Sequence, residues 1–125
     1  MLRFEKLTVK AQEALQDANE VAAHHENQEI APLHLLAALI NQAEGVVPPL
    51  LARLGIRKEA LNSEVQREIG RLPRVHGFSE QRMGRALNDA LERAFQEADN
   101  FKDDYVSTEH LFLGIASLED RKSVV

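Results

Sequence analysis

The chain has 125 residues, enough for one domain with a substantial core, and 44% of them are apolar. A net charge of −5 argues against the basic surface that a nucleic-acid backbone demands. The absence of cysteine removes disulfides, thiolate catalysis and Cys-type zinc sites, and fits a reducing cytoplasm, the localisation expected here.

Taken in chain order, the opening Met-Leu-Arg-Phe-Glu-Lys has no apolar stretch behind it and does not read as a signal peptide. Thr8 is a suitable cap for a first helix running to about His24, with Ala11, Ala14, Leu15, Ala18, Val21 and Ala22 on its apolar face. After the loop His25–Ala31, Pro32 sits where proline is tolerated, at the first position of a second helix. Leu33–Ile40 is apolar almost all round, so that helix is expected to be buried on most sides. Pro48 and Pro49 open a short third helix, Val47–Leu54, stopped by Gly55. A fourth spans Lys58–Ile69 and buries Leu61, Val65 and Ile69.

Residues 70–79, with Pro73 and two glycines, read as a connector. Ser79 then caps a fifth helix to about Asp99, with Met83, Ala86, Leu87, Ala90, Leu91, Ala94 and Ala98 inward. Ser107 caps a sixth, where Leu111, Phe112, Leu113 and Ile115 are nearly continuous and Glu109 falls in the first turn, suited to the helix dipole. No apolar run approaches the roughly 20 residues of a membrane span.

The plan restarts because the sequence repeats. At an offset of 76, as between Ala14 and Ala90, Leu15 matches Leu91, Ala18 Ala94, Ala22 Ala98, His34 His110 and Leu35 Leu111. Ile30/Val106, Leu36/Phe112 and Leu39/Ile115 keep their apolar character. Matches every three or four residues are those of a helical face kept for packing. The fold expected is all-α: two pseudo-twofold-related repeats, the first at 4–69 with four helices, the second at 80–125 stopping after two. On this reading the chain is a piece of a longer protein. Leu111–Ala116 is then left without a third and fourth helix to cover it, so the isolated chain is expected as a monomer or weak dimer.

Chemistry is poorly supported. His24 and His25 point about 100° apart on a helix and do not chelate as an i, i+4 pair would. His34 and His110 occupy equivalent places and read as structural, so no metal and no catalytic residue is assigned; a small His-dependent metal hydrolase is the enzymatic alternative. No glycine opens a phosphate-binding loop and no serine sits in a nucleophile elbow, so no cofactor is expected in this chain. Asp103 and Asp104 together read as a solvated pair.

The residues Phe4-Glu5-Lys6-Leu7-Thr8-x-Lys10-Ala11-x-Glu13-Ala14-Leu15 resemble the start of the Clp N-terminal domain. Asn27-Gln28-Glu29-Ile30-x-Pro32-Leu33-His34-Leu35-Leu36, Leu50-Leu51-x-x-Leu54-Gly55 and Val106-Ser107-Thr108-Glu109-His110-Leu111 resemble later parts of it. The connector Arg71-Leu72-Pro73-x-Val75-x-Gly77 resembles ClpB-type disaggregases in particular.

The resemblance implies a non-catalytic domain hung by a linker from a hexameric AAA+ ATPase, whose own modules bind ATP. Such a domain contacts unfolded or aggregated polypeptide; in protease-linked relatives it docks adaptor proteins, the alternative function. The family positions tied to substrate handling would here be Thr8, Asp103 and Glu109. A groove lined by Leu87, Leu91 and Leu111 and rimmed by Asp103, Asp104 and Glu109 would suit shallow, adaptable binding.

Overall fold

The computed structural model describes residues 3–77 and 80–124, with side chains as far as Leu118. Thr8 starts α1 (Val9–His24), its hydroxyl accepting the Ala11 N–H at 3.1 Å. The inward face of α1 is all alanine (Ala11, Ala14, Ala18, Ala22), so α2 (Pro32–Asn41) lies close against it and buries Leu35, Leu39 and Ile40 completely. Removing that cap by Thr8→Ala should cost about 1 kcal/mol in a denaturant titration.

Over the other side of α2 lie α3 (Val47–Arg53) and α4 (Lys58–Ile69), which bury Val47, Leu51, Val65 and Ile69. The second repeat supplies α5 (Arg85–Asn100) and α6 (Thr108–Val124). Val9 and Arg85, Pro32 and Thr108 are each 76 apart, so the helices of the two repeats begin in register.

Short strands tie the halves together, and they were not legible in the sequence. β1 (Glu29–Ile30) runs parallel to β2 (Arg82–Met83), with Ile30 opposite Met83. An isolated parallel bridge joins Leu7 to Val106, the positions equivalent to Met83 and Ile30 under the same offset. The Thr8 N–H donates to the Val106 carbonyl at 3.0 Å, and the Gly84 N–H to the Ile30 carbonyl at 3.1 Å. Each repeat therefore lends the residues before its first helix to the residues before the other's second helix.

That pairing moves the start of the fifth helix. Met83 is in β2, not helical, and α5 begins at Arg85 after Gly84; Ser79, the expected cap, lies outside the described residues. Ala86, expected inward, is exposed, one position before the buried Leu87. Ser107 also departs from expectation. Its hydroxyl donates to a Glu109 carboxylate oxygen at 3.1 Å rather than accepting from a helix N–H.

The apolar surface of α6 is better covered than the sequence alone leads one to expect. Leu111 and Ile115 are buried, because α5 packs along α6 and α1, α2 and α3 also touch it. Of the apolar run, Leu113 is the side chain left open, at 40% exposure. No described helix is long and apolar enough to cross a membrane.

Candidate functional site

The loops leaving α1 and α5 are built alike. Two residues beyond each helix end stands a non-glycine residue in the left-handed region, Glu26 at φ 58° and Lys102 at φ 60°. The next residue's N–H returns to the helix: Asn27 to the Ala22 carbonyl and Asp103 to the Ala98 carbonyl, both at 2.9 Å.

A buried histidine then locks each loop to the following helix. The Ala31 N–H donates to His34 Nδ1 at 2.8 Å, which leaves the ring proton on Nε2, donated to Asn27 Oδ1 at 2.9 Å. In the second repeat the Ser107 N–H donates to His110 Nδ1 at 2.9 Å, and His110 Nε2–H donates to Asp103 Oδ2 at 2.9 Å. Burial holds His34 neutral, its pKa lowered to about 4 with a further push from nearby His25. Both imidazoles thus have both nitrogens engaged inside the fold. Among the described residues no three His, Asp or Glu side chains gather as a metal site requires.

The same network brings three of the expected site residues together around the start of α6. Asp103 is joined to His110, His110 to Ser107, and Ser107 to Glu109; Thr8 is tied by its backbone to Val106, next in line. Asp103, Asp104 and Glu109 are exposed and Thr8 is half-buried. Beside them a shallow cleft of about 310 Å³ is lined by Arg3, Lys6, Phe95, Asp103, Asp104 and Tyr105, among others. The chemistry on offer is hydrogen bonding and charge around an aromatic edge, with Phe101 and Tyr105 standing 62% and 57% exposed.

The expected leucine lining does not materialise. Leu87, Leu91 and Leu111 are at most 1% exposed, part of the single hydrophobic core, and have no surface to offer a ligand. Their helical spacing recorded burial. What the sequence did not disclose is the role of Asn27 and Asp103, because different residue types occupy the aligned position. The identity of His34 with His110 was the available signal.

The model of the Clp repeat (R) N-terminal domain matches residues 6–124. Chaperone protein ClpB of Rhodopirellula baltica is 38% identical over 119 residues, covering 95% of this chain and 14% of the relative. The chain therefore spans about one seventh of such a relative's length. Among solved structures, the Hsp104 N-terminal domain from Candida albicans superposes with a TM-score of 0.81 at 25% identity, covering 92% of this chain and 78% of the other. A ClpV N-domain in complex with a VipB peptide gives 0.76 at 18% identity, with 94% and 71% covered, a likeness of fold alone. The helical repeat, its capped first helix and a family match over nearly the whole sequence agree: this chain belongs to the Clp repeat (R) N-terminal domain family.

Proposed function

We infer that this domain is the non-catalytic N-domain of a ClpB-like, ATP-dependent disaggregase, and that it holds unfolded or aggregated polypeptide at the edge formed by Thr8, Asp103, Asp104 and Glu109. The observation that carries the reading is the network Asp103–His110–Ser107–Glu109, which gathers exposed carboxylates around the loop into α6 beside a shallow cleft. Exposed polar groups around a loop and a shallow surface, in place of a deep fitted pocket, suit many unlike chains better than one tightly fitted ligand. The ClpB relatives and the peptide held by a ClpV N-domain support it.

Binding should be weak, at roughly micromolar affinity or poorer, because the bound chain loses its freedom. In chemical-shift mapping with a permanently unfolded polypeptide, resonances of Thr8, Asp103, Asp104, Glu109 and their neighbours should move. Asp103→Ala should reduce the affinity about threefold or more, as loss of one exposed polar contact does. Shifts confined to α4, or none at millimolar polypeptide, would overturn the assignment. Saturation by one folded protein with no response to unfolded chains would favour adaptor docking instead.

A further inference from the structure

Two surfaces of the first repeat complement one another, and a single chain cannot bring them together. The first is the turn between α3 and α4. Leu54 closes α3, Gly55 at φ 75° reverses the chain, and the Ile56 N–H returns to the Leu51 carbonyl at 2.9 Å. Leu54 and Ile56 are held outward there, 58% and 39% exposed. Residues 53–58 carry three cations, Arg53, Arg57 and Lys58, and no acid. Among the described residues none of the three has an ion-pair partner. The N-terminal end of the α4 dipole adds positive charge at the same place. Exposed aliphatic side chains rimmed by charge are the pattern of an interaction surface.

The second surface is a groove. α1 and α4 both pack on α2, and over the short side chains of Ala37 and Ala38 a space of about 460 Å³ is left. Val21 shares this apolar floor. Asp17, Glu20 and His24 stand along the α1 wall at the spacing of one helical face, with Asn41 and Gln66 on the other side. No lysine or arginine lines the groove, and neither carboxylate has an ion-pair partner among the described residues. Arg67, the cation beside Gln66 in sequence, is already paired with Glu64. The floor therefore suits aliphatic side chains and the wall suits cations.

The turn cannot fill the groove of its own chain. Gln66 lies nine positions beyond Arg57 along α4, about 13 Å at 1.5 Å per residue, and the turn is tied back to α3 at the far end of that helix. A contact between the two surfaces needs two molecules.

We propose that the α3–α4 turn of one copy of this domain docks in the groove between α1 and α4 of a second copy. Leu54 and Ile56 cover the Ala37–Ala38 floor, and Arg53 and Arg57 face Asp17 and Glu20. The contact is head-to-tail, so each pair keeps one turn and one groove unused; it closes only as a ring and otherwise continues copy by copy. Exposed ion pairs and a small apolar area make it weak between separate molecules, whereas copies tethered in one assembly meet at effectively millimolar concentration. It goes beyond the polypeptide-binding reading and shares no residue with Thr8, Asp103, Asp104 and Glu109.

Spectra of the 125-residue chain recorded from micromolar to millimolar concentration should show Asp17, Glu20 and His24 moving together with Leu54, Ile56 and Arg57. Light scattering should rise over the same range and fall on adding salt, which screens the ion pairs. Two charge-reversed variants, Asp17→Lys with Glu20→Lys and Arg53→Glu with Arg57→Glu, should each weaken the association about tenfold or more. All four side chains are exposed, so the fold should survive both changes. Mixed in equal amounts, the two variants should associate as well as the unaltered chain, because the acidic turn then meets a basic groove. No concentration dependence up to millimolar, movement confined to α6, or a mixture no better than either variant alone would overturn the contact. A turn variant that loses unfolded polypeptide while the unaltered chain stays monomeric would assign the turn to a partner chain and overturn it as well.

Discussion

Gly114→Ala should cost the domain about 1–3 kcal/mol, although alanine is the better helix former by about 1 kcal/mol. A methyl group at Gly114 would fall deep inside contact distance of the Ala90 carbonyl oxygen and 3.2 Å from the Ala94 nitrogen. Those atoms belong to the backbone of α5, so no side chain can swing away, and α5 and α6 would have to separate along the most extensive helix contact in the fold. Against a typical total stability of about 5–15 kcal/mol the loss is large. The sign decides the matter in a urea titration. A midpoint that rises, as helix propensity alone requires, would show that the crossing is looser than its geometry. The equivalent residue in the first repeat is Ala38, so this demand comes from one helix crossing and not from the repeat plan.

The second large effect is on acid stability. The His34 pKa is lowered from 6.5 to about 4 in the folded chain, chiefly by burial and then by His25. In the unfolded chain the ring takes up its proton near pH 6.5, whereas the folded ring stays neutral until about pH 4. The unfolded state therefore binds more protons between these values, and stability is lost as pH falls through that window. At 1.36 kcal/mol per pH unit the loss attributable to His34 is about 3 kcal/mol. His34→Gln keeps a neutral acceptor and donor at every pH. It should be less stable at pH 7, by about 1–3 kcal/mol for the disturbed buried bonds, yet lose less between pH 6.5 and pH 4. Parallel pH profiles for the two proteins would refute the assignment to His34.

Both effects bear on how much the sequence disclosed. The helical period placed α1, α3 and α4 within a residue, because their apolar positions, Thr8, the two prolines and Gly55 all agreed on the boundaries. The start of α5 was misplaced because serine is a favoured cap and Gly84 offers no side chain, although Thr8 carried forward by 76 lands on Gly84. Repeat geometry outweighed local preference there. Strands of two residues are too short to show any alternation, so β1 and β2 left no trace in the pattern.

For the site, exposure was the missing quantity. Leu87, Leu91 and Leu111 had the spacing of a buried face and are buried. Thr8, Asp103 and Glu109 were marked by family resemblance, and only the folded chain shows the hydrogen bonds that link them through His110 and Ser107. Gly114 carried a faint signal of its own, since a glycine inside an otherwise helical run sacrifices stability unless a neighbour needs the space.

The bridges Leu7–Val106 and Ile30–Met83 make the duplicated halves interdependent. Neither half holds the strand partner that steadies the approach to its own second helix, so a single repeat is not a smaller version of the whole. The complete fold needs two pairings distant in the chain, Leu7 with Val106 at 99 positions apart and Ile30 with Met83 at 53. Such distant pairing slows folding relative to a bundle of sequential helices. It also supplies a route for two chains to exchange equivalent halves at high concentration, each completing the other with the contacts it would have made within itself.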